Sequence, residues 1–134
     1  MEITPKEHAI ALHHKGYNCA QAVACAYCDS LGLDLEIAYR LTEGFGFGMG
    51  MMEVCGALSG AFVLAGWKGS AGTAQPGKTK GATYKMNKKL AQDFQEKNGA
   101  ILCRELKGVQ TGQPLRSCQG CIEDACDLVE KHLL

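Results

Sequence analysis

Eight cysteines in a chain of 134 residues are the side chains best suited to chemistry. Thiolates bind soft metal ions and exchange with disulfides, so what matters is where the surroundings favour the ionised form. Two Cys-x-x-Cys pairs occur, Cys25 with Cys28 and Cys118 with Cys121. They stand far apart for a tetrathiolate zinc site and fall within predicted helices rather than zinc-ribbon knuckles, which leaves structural zinc as an alternative only. A thioredoxin-type reading lacks its neighbouring βαβ pattern. At ~100° per residue, Cys28 projects opposite Cys19 on one helix and Cys25 lies well off its face, so these do not serve one site. Cys25, Cys28 and Cys126 read as small core hydrophobes. Four others are better placed: Cys19 just after a helix cap, Cys55 near the start of a small-residue helix, Cys103 in a connecting turn and Cys118 at a helix start. Helix N-termini favour thiolate through the macrodipole and free amide donors.

Other motifs carry less. Gly72 to Thr79 matches the P-loop pattern of glycine, four residues, then Gly-Lys-Thr, with Lys78 reaching phosphates and Thr79 magnesium. A P-loop follows a buried parallel strand, whereas Lys68 to Ala71 is polar and glycine-rich, so nucleotide binding ranks last. The glycine row Gly44 to Gly50 fails the dinucleotide GxGxxG spacing. His8, His13, His14 and His132 show no acid–base partner pattern and receive no role. Arg104 is expected to pair locally with Glu105, or else to offset charge at Cys103. Trp67 and Tyr84 read as core or lid packing.

The elements that must position these residues are helical. Thr4-Pro5-Lys6-Glu7 opens a helix to about His14. Asn18 caps a second that Gly32 ends, and Asp34 a third through about Leu41. Gly44 to Gly50 is expected as an extended loop, since its glycines weaken a strand. The small-residue run from Glu53 then predicts a buried central helix ending near Gly66. Lys68 to Lys80 is a surface loop. A long polar helix follows, with Met86, Leu90 and Phe94 inward and Gly99 closing it. The last helix opens at Ser117 or Cys118, with Cys118, Ile122, Ala125 and Val129 inward and Glu123, Asp124, Asp127 and Glu130 facing water. The expected fold is all-α, a single compact bundle of five or six helices forming one domain over residues 1–134.

Asn18-Cys19-Ala20-Gln21-Ala22-Val23, then Val54-Cys55-Gly56-Ala57-Leu58-Ser59-Gly60-Ala61, then Cys103-Arg104-Glu105-Leu106 with Gly108, then Cys118 followed by Ile122-Glu123-Asp124-Ala125, together resemble the C-GCAxxG-C-C family of redox-active proteins. The resemblance spans nearly the whole chain. It implies a small, mainly helical bacterial or archaeal protein with four characteristic cysteines and a redox or iron–sulfur role. A related domain in split-Soret type cytochromes is associated with an iron–sulfur centre. Carried onto this chain, the cysteines are Cys19, Cys55, Cys103 and Cys118, with Cys121 competing for the last position. The leading expectation is that these four converge on a [2Fe–2S] or [4Fe–4S] cluster for electron transfer. The runner-up is metal-free thiol–disulfide exchange in which Cys55 attacks and another of the set, Cys19, resolves.

Composition narrows the partners. Net charge is zero but uneven: about −4 over residues 1–67, +7 over 68–116 and −3 thereafter. The basic middle reads first as a solvated helix face carrying Lys85, Lys88, Lys89 and Lys97, and second as a docking patch for an acidic redox partner protein or an anionic ligand. Few aromatics interleave with these lysines, which argues against nucleic acid. No apolar run reaches the ~20 residues of a membrane span, and the start lacks a secretory pattern, so a cytoplasmic protein is expected. There, eight cysteines suit metal or redox chemistry better than a disulfide framework. The glycine loop and small-residue helix would also suit a close homodimer contact.

Overall fold

The structure, a computed structural model, describes residues 3–134. Among these, side-chain caps start four of the eight α-helices. In α1 (Pro5–His14) the Thr4 hydroxyl accepts from the Glu7 amide at 3.1 Å and Pro5 fills the first position. In α2 (Cys19–Ala26) Asn18 and Gln21 form a reciprocal capping box, each side chain accepting from the other's amide at 2.9 Å. One helix to Gly32 was expected. Instead Tyr27 leaves helical geometry at φ −107° and a separate turn, α3 (Cys28–Leu31), follows before left-handed Gly32. The break seats the fully buried Tyr27 ring, whose hydroxyl donates to the Cys126 carbonyl at 3.2 Å. Asp34 caps α4 (Leu35–Thr42).

The extended loop expected at Gly44 to Gly50 is not extended. After a 3-10 turn at Glu43–Phe45 the chain coils left-handed, with Phe47, Gly48, Met49 and Gly50 at φ 54°, 58°, 61° and 74°, and Met52 at 55°. Three of these residues carry side chains in a region where each costs roughly 1–2 kcal/mol.

The remaining helices are α5 (Gly56–Gly69), α6 (Lys80–Asn98), the single turn α7 (Cys103–Leu106) and α8 (Cys118–Leu133). The fold is all-α: six helices of eight residues or more, plus the two short turns, and among the described residues no strand beyond one isolated bridge, Val54 to Leu102. Central α5 runs three residues past Gly66 and packs on α2, α6 and α8. Its small residues set the spacing. A Cβ on Gly60 would stand 2.7 Å from the Ala20 carbonyl oxygen, and one on Gly56 only 3.3 Å from Cys19 Cβ, so the backbones of α2 and α5 nearly touch.

Leu90 and Phe94 of α6 are fully buried and Met86 half so, while Lys85, Lys88, Lys89 and Lys97 are exposed, as a solvated face requires. Ile122, Ala125 and Val129 of α8 are buried, but Asp124 departs from the expected pattern. Instead of facing water it is 3% exposed, paired with Lys97 and gripped by Arg116 at 3.1 and 3.2 Å. Periodicity put it on the outer face; Lys97 of α6 and Arg116 of the α8 entry cover it. Trp67 and Tyr84 are exposed rather than core, Trp67 donating its indole N–H to the Leu31 carbonyl at 2.7 Å. The Gly72 to Thr79 motif follows a helix, not a strand. Among the described residues no helix is long and apolar enough to cross a membrane.

Candidate functional site

Cys19, Cys55, Cys103, Cys118 and Cys121 line one cavity of about 200 Å³. Four of them stand at helix starts. Cys19 opens α2 behind the Asn18 cap, Cys55 is the residue before α5, Cys103 opens α7, and Cys118 opens α8 behind Ser117, whose hydroxyl accepts from the Gly120 amide at 2.9 Å. Cys121 follows one turn later on α8 and shares the face of Cys118. Three substantial helices and one single turn thus direct their positive ends at the same space, which favours negative charge there.

A backbone clamp holds two of these segments in register. The Cys55 amide donates to the Ile101 carbonyl at 2.8 Å and the Cys103 amide to the Glu53 carbonyl at 2.6 Å. Arg104 does not pair with Glu105; it reaches Glu53 at 3.1 Å and ties the same two strands of chain by their side chains. Cys25, Cys28 and Cys126 stay outside the cavity as buried core residues, where burial pushes the Cys25 and Cys126 thiols up to about 12.

The thiols in the cavity are not equivalent. The thiols act on one another's ionisation in two pairs, Cys19 as donor toward Cys118 and Cys121 as donor toward Cys55. The donors are held protonated, their ionisation pushed well above the ordinary thiol range first by that hydrogen bond and then by burial. The acceptors are drawn the other way. Cys118 is lowered to about 5, chiefly by the Cys19 bond and, against the opposing effect of burial, by Lys107 and His13. Cys55 is lowered by Cys121 and by the amides of Leu58 and Ala57, again against burial. Burial raises Cys103, and Lys107 moderates the rise. Exposure separates the two pairs: Cys19 and Cys118 are half-buried, whereas Cys55 and Cys121 are 5% and 3% exposed.

Three cationic or ring side chains missing from the sequence reading complete the walls. The Lys107 amine lies 3.6 Å from Cys118 Sγ and 5.6 Å from the centre of the half-exposed Phe47 ring. Proximity to Cys118 raises its own pKa. Arg116 reaches the wall from the α8 entry and is fixed there by Asp124; it lies so close over Gly120 that a Cβ would meet its Nε at 2.4 Å. His13, given no role from sequence, also lines the cavity and hydrogen-bonds through Nδ1 to the Tyr17 carbonyl at 2.9 Å. The only sequence signal for Lys107 and Arg116 was the run of basic residues in the middle of the chain, and His13 had none. Tyr84 and the Lys68 to Lys80 loop do not line the cavity. Of the remaining histidines, His132 pairs with Asp93 at 2.8 Å on the far helices.

Among the described residues no group of three or more Cys, His, Asp or Glu side chains is set to hold a metal ion.

The fold and the cavity define a small all-α protein with a multi-thiol pocket at converging helix ends. The chain belongs to the family described as "Putative redox-active protein (C_GCAxxG_C_C)", whose pattern matches residues 17–132 and so includes every cysteine of the cavity. No curated protein and no solved structure matches it.

Proposed function

We propose that the five-thiol cavity is a redox centre that holds an iron–sulfur cluster on Cys19, Cys55, Cys103 and Cys118, with Cys121 as a spare thiol. One observation carries the reading: sulfurs from four remote chain segments line a single cavity, each segment meeting it at the start of a helix. The donor set suits the group, because thiolates are the usual iron–sulfur ligands and the cavity already favours ionised sulfur at Cys55 and Cys118. Such a cluster supplies one-electron transfer when bound. The chain's own part is to gather the sulfurs, aim amide dipoles at them, offset their charge with Lys107 and Arg116, and shield the inner pair from water. Those two cations at the rim favour an acidic partner protein for electron exchange.

The test is anaerobic reconstitution of the full chain with ferrous iron and sulfide. We expect bound iron and acid-labile sulfide in equal amounts, a visible absorption bleached by dithionite, and loss of both in Cys103→Ser. Failure to retain iron and sulfide under these conditions overturns the reading. The half-exposed Cys118, with the Lys107 amine 3.6 Å from its sulfur, favours a second one, metal-free thiol–disulfide exchange, in which Cys118 replaces Cys55 as the attacking sulfur because it is the more accessible thiolate.

A further inference from the structure

We propose that Asp124 is a positioning residue of the thiol cavity, holding the Arg116 guanidinium on its wall so that the cavity reacts with anionic thiol reagents in preference to cationic ones. The proposal deepens the redox reading by naming the charge of what the cavity accepts, and it needs no cluster.

Residues 116, 120 and 124 follow one another at intervals of four along α8 and its entry, which puts them on one side of the helix. Asp124 is 3% exposed and does not line the cavity, so it reaches the site only through Arg116, which does. Its oxygens accept from Arg116 Nε at 3.1 Å and Nη2 at 3.2 Å, a two-point grip that fixes the plane of the guanidinium as well as its place. Gly120 supplies the seat. A Cβ there would meet Arg116 Nε at 2.4 Å and Cζ at 2.5 Å, so only a residue without a side chain leaves room for the guanidinium along the first turn of α8. Without grip and seat, a long cationic side chain gains rotamer freedom and hydration by swinging into water.

The charge balance then sets the preference. Lys97 of α6 meets the same carboxylate at 2.5 Å, so two cations around one buried anion leave positive charge in excess. Arg116 Nη1 has no hydrogen-bond partner among the described residues. Lys107, 3.6 Å from the Cys118 sulfur, adds a second cation to the wall. Among the described residues no Asp or Glu lines the cavity to offset them. A reagent carrying a carboxylate or sulfonate is therefore drawn in, and an ammonium reagent is repelled.

The test uses the reduced, metal-free full chain and two methanethiosulfonates of opposite charge, the sulfonatoethyl and the trimethylammonioethyl reagent. Each transfers its thioalkyl group to a thiolate, forming a mixed disulfide and releasing methanesulfinate. Loss of the free Cys118 thiol, quenched by alkylation and followed by peptide mass spectrometry, gives a rate for each. The anionic-to-cationic ratio is normalised to that of 2-mercaptoethanol. Because both reagents attack the same sulfur, its ionisation and accessibility cancel and the ratio reports local charge. We expect a normalised ratio above one in the wild type at low salt and a fall of at least about threefold in Arg116→Met. Gly120→Ala should fall likewise, although it keeps every charge and alanine is the better helix former. Asp124→Asn decides the positioning role by sign. Deleting a negative charge raises the ratio if Arg116 stays in place, whereas loss of the grip lowers it, and we expect the fall. A wild-type ratio of one or below, an unchanged ratio in Arg116→Met or Gly120→Ala, or no fall in Asp124→Asn overturns the assignment. Should Asp124→Asn fail to fold, the wild type and Gly120→Ala still decide it. Iron and sulfide retention does not enter the measurement, so failure here is distinct from failure of the cluster reading.

Discussion

Cys118 and Lys107 illustrate how a reactive thiol is made from neighbours that sequence proximity does not reveal. The hydrogen bond from Cys19 does most to hold Cys118 ionised, and the Lys107 charge adds to it. The pH dependence of Cys118 alkylation in the reduced, metal-free protein reads the two effects separately. Both Cys19→Ala and Lys107→Met should move its midpoint upward from about 5, the former further. An unchanged midpoint in both variants removes this account of the thiolate. Cys19 and Cys118 were legible from the caps before them, Asn18 and Ser117, whereas Cys55 and Cys103, which follow no side-chain cap, were gathered with them only through the family resemblance. Lys107, Arg116 and His13 were not legible, since each reaches the cavity from an element whose local sequence says nothing about where its tip lands.

Among the elements, α2 and α5 decide how closely the sulfurs can gather. Gly60 lets the α5 backbone rest against Ala20, and a valine there would have to displace a carbonyl oxygen rather than a pliable side chain. Gly60→Val should therefore cost about 1–3 kcal/mol even though it removes a glycine from a helix interior. Chemical denaturation measures the loss, and the same variant should loosen the approach of Cys19 to Gly56 by splaying α2 from α5. Elements with explicit caps, such as α1, α2 and α4, were readable from residues 4, 18 and 34 because capping is a local interaction. The left-handed coil through Phe47, Met49 and Met52 was not readable, for side chains at positive φ defy local preference and are held there by their surroundings. The break at Tyr27 was hidden for a related reason: its cause is a hydrogen bond to Cys126, 99 residues away.

At the scale of the whole molecule, charge is organised around Asp124 as much as around the cavity. Its burial opposes ionisation, yet Arg116 and Lys97 more than compensate and hold its carboxyl below the ordinary 3.8. A carboxylate whose folded-state pKa is depressed stabilises the fold above its unfolded pKa and loses that contribution as pH falls through the folded value. Thermal unfolding should thus show an acid-side loss of stability below about pH 4 that is reduced in Asp124→Asn, itself roughly 2 kcal/mol less stable at neutral pH. Amphipathic periodicity misplaced this residue because it reports which face of α8 is outermost, not which far segments fold over it. The helical bundle was legible from periodicity; the ionic strap across it was not.

Helix ends are the first parts of a helix to fray, and the cavity is walled by four of them. Left empty, this corner should exchange its amide hydrogens sooner than the middle of α5, since opening one turn requires no global unfolding. Anything that bridges all the sulfurs would pin α2, α5, α7 and α8 together in one event, so occupancy and rigidity rise in step. Filling the cavity is then a late act of folding, and emptying it an early act of unfolding.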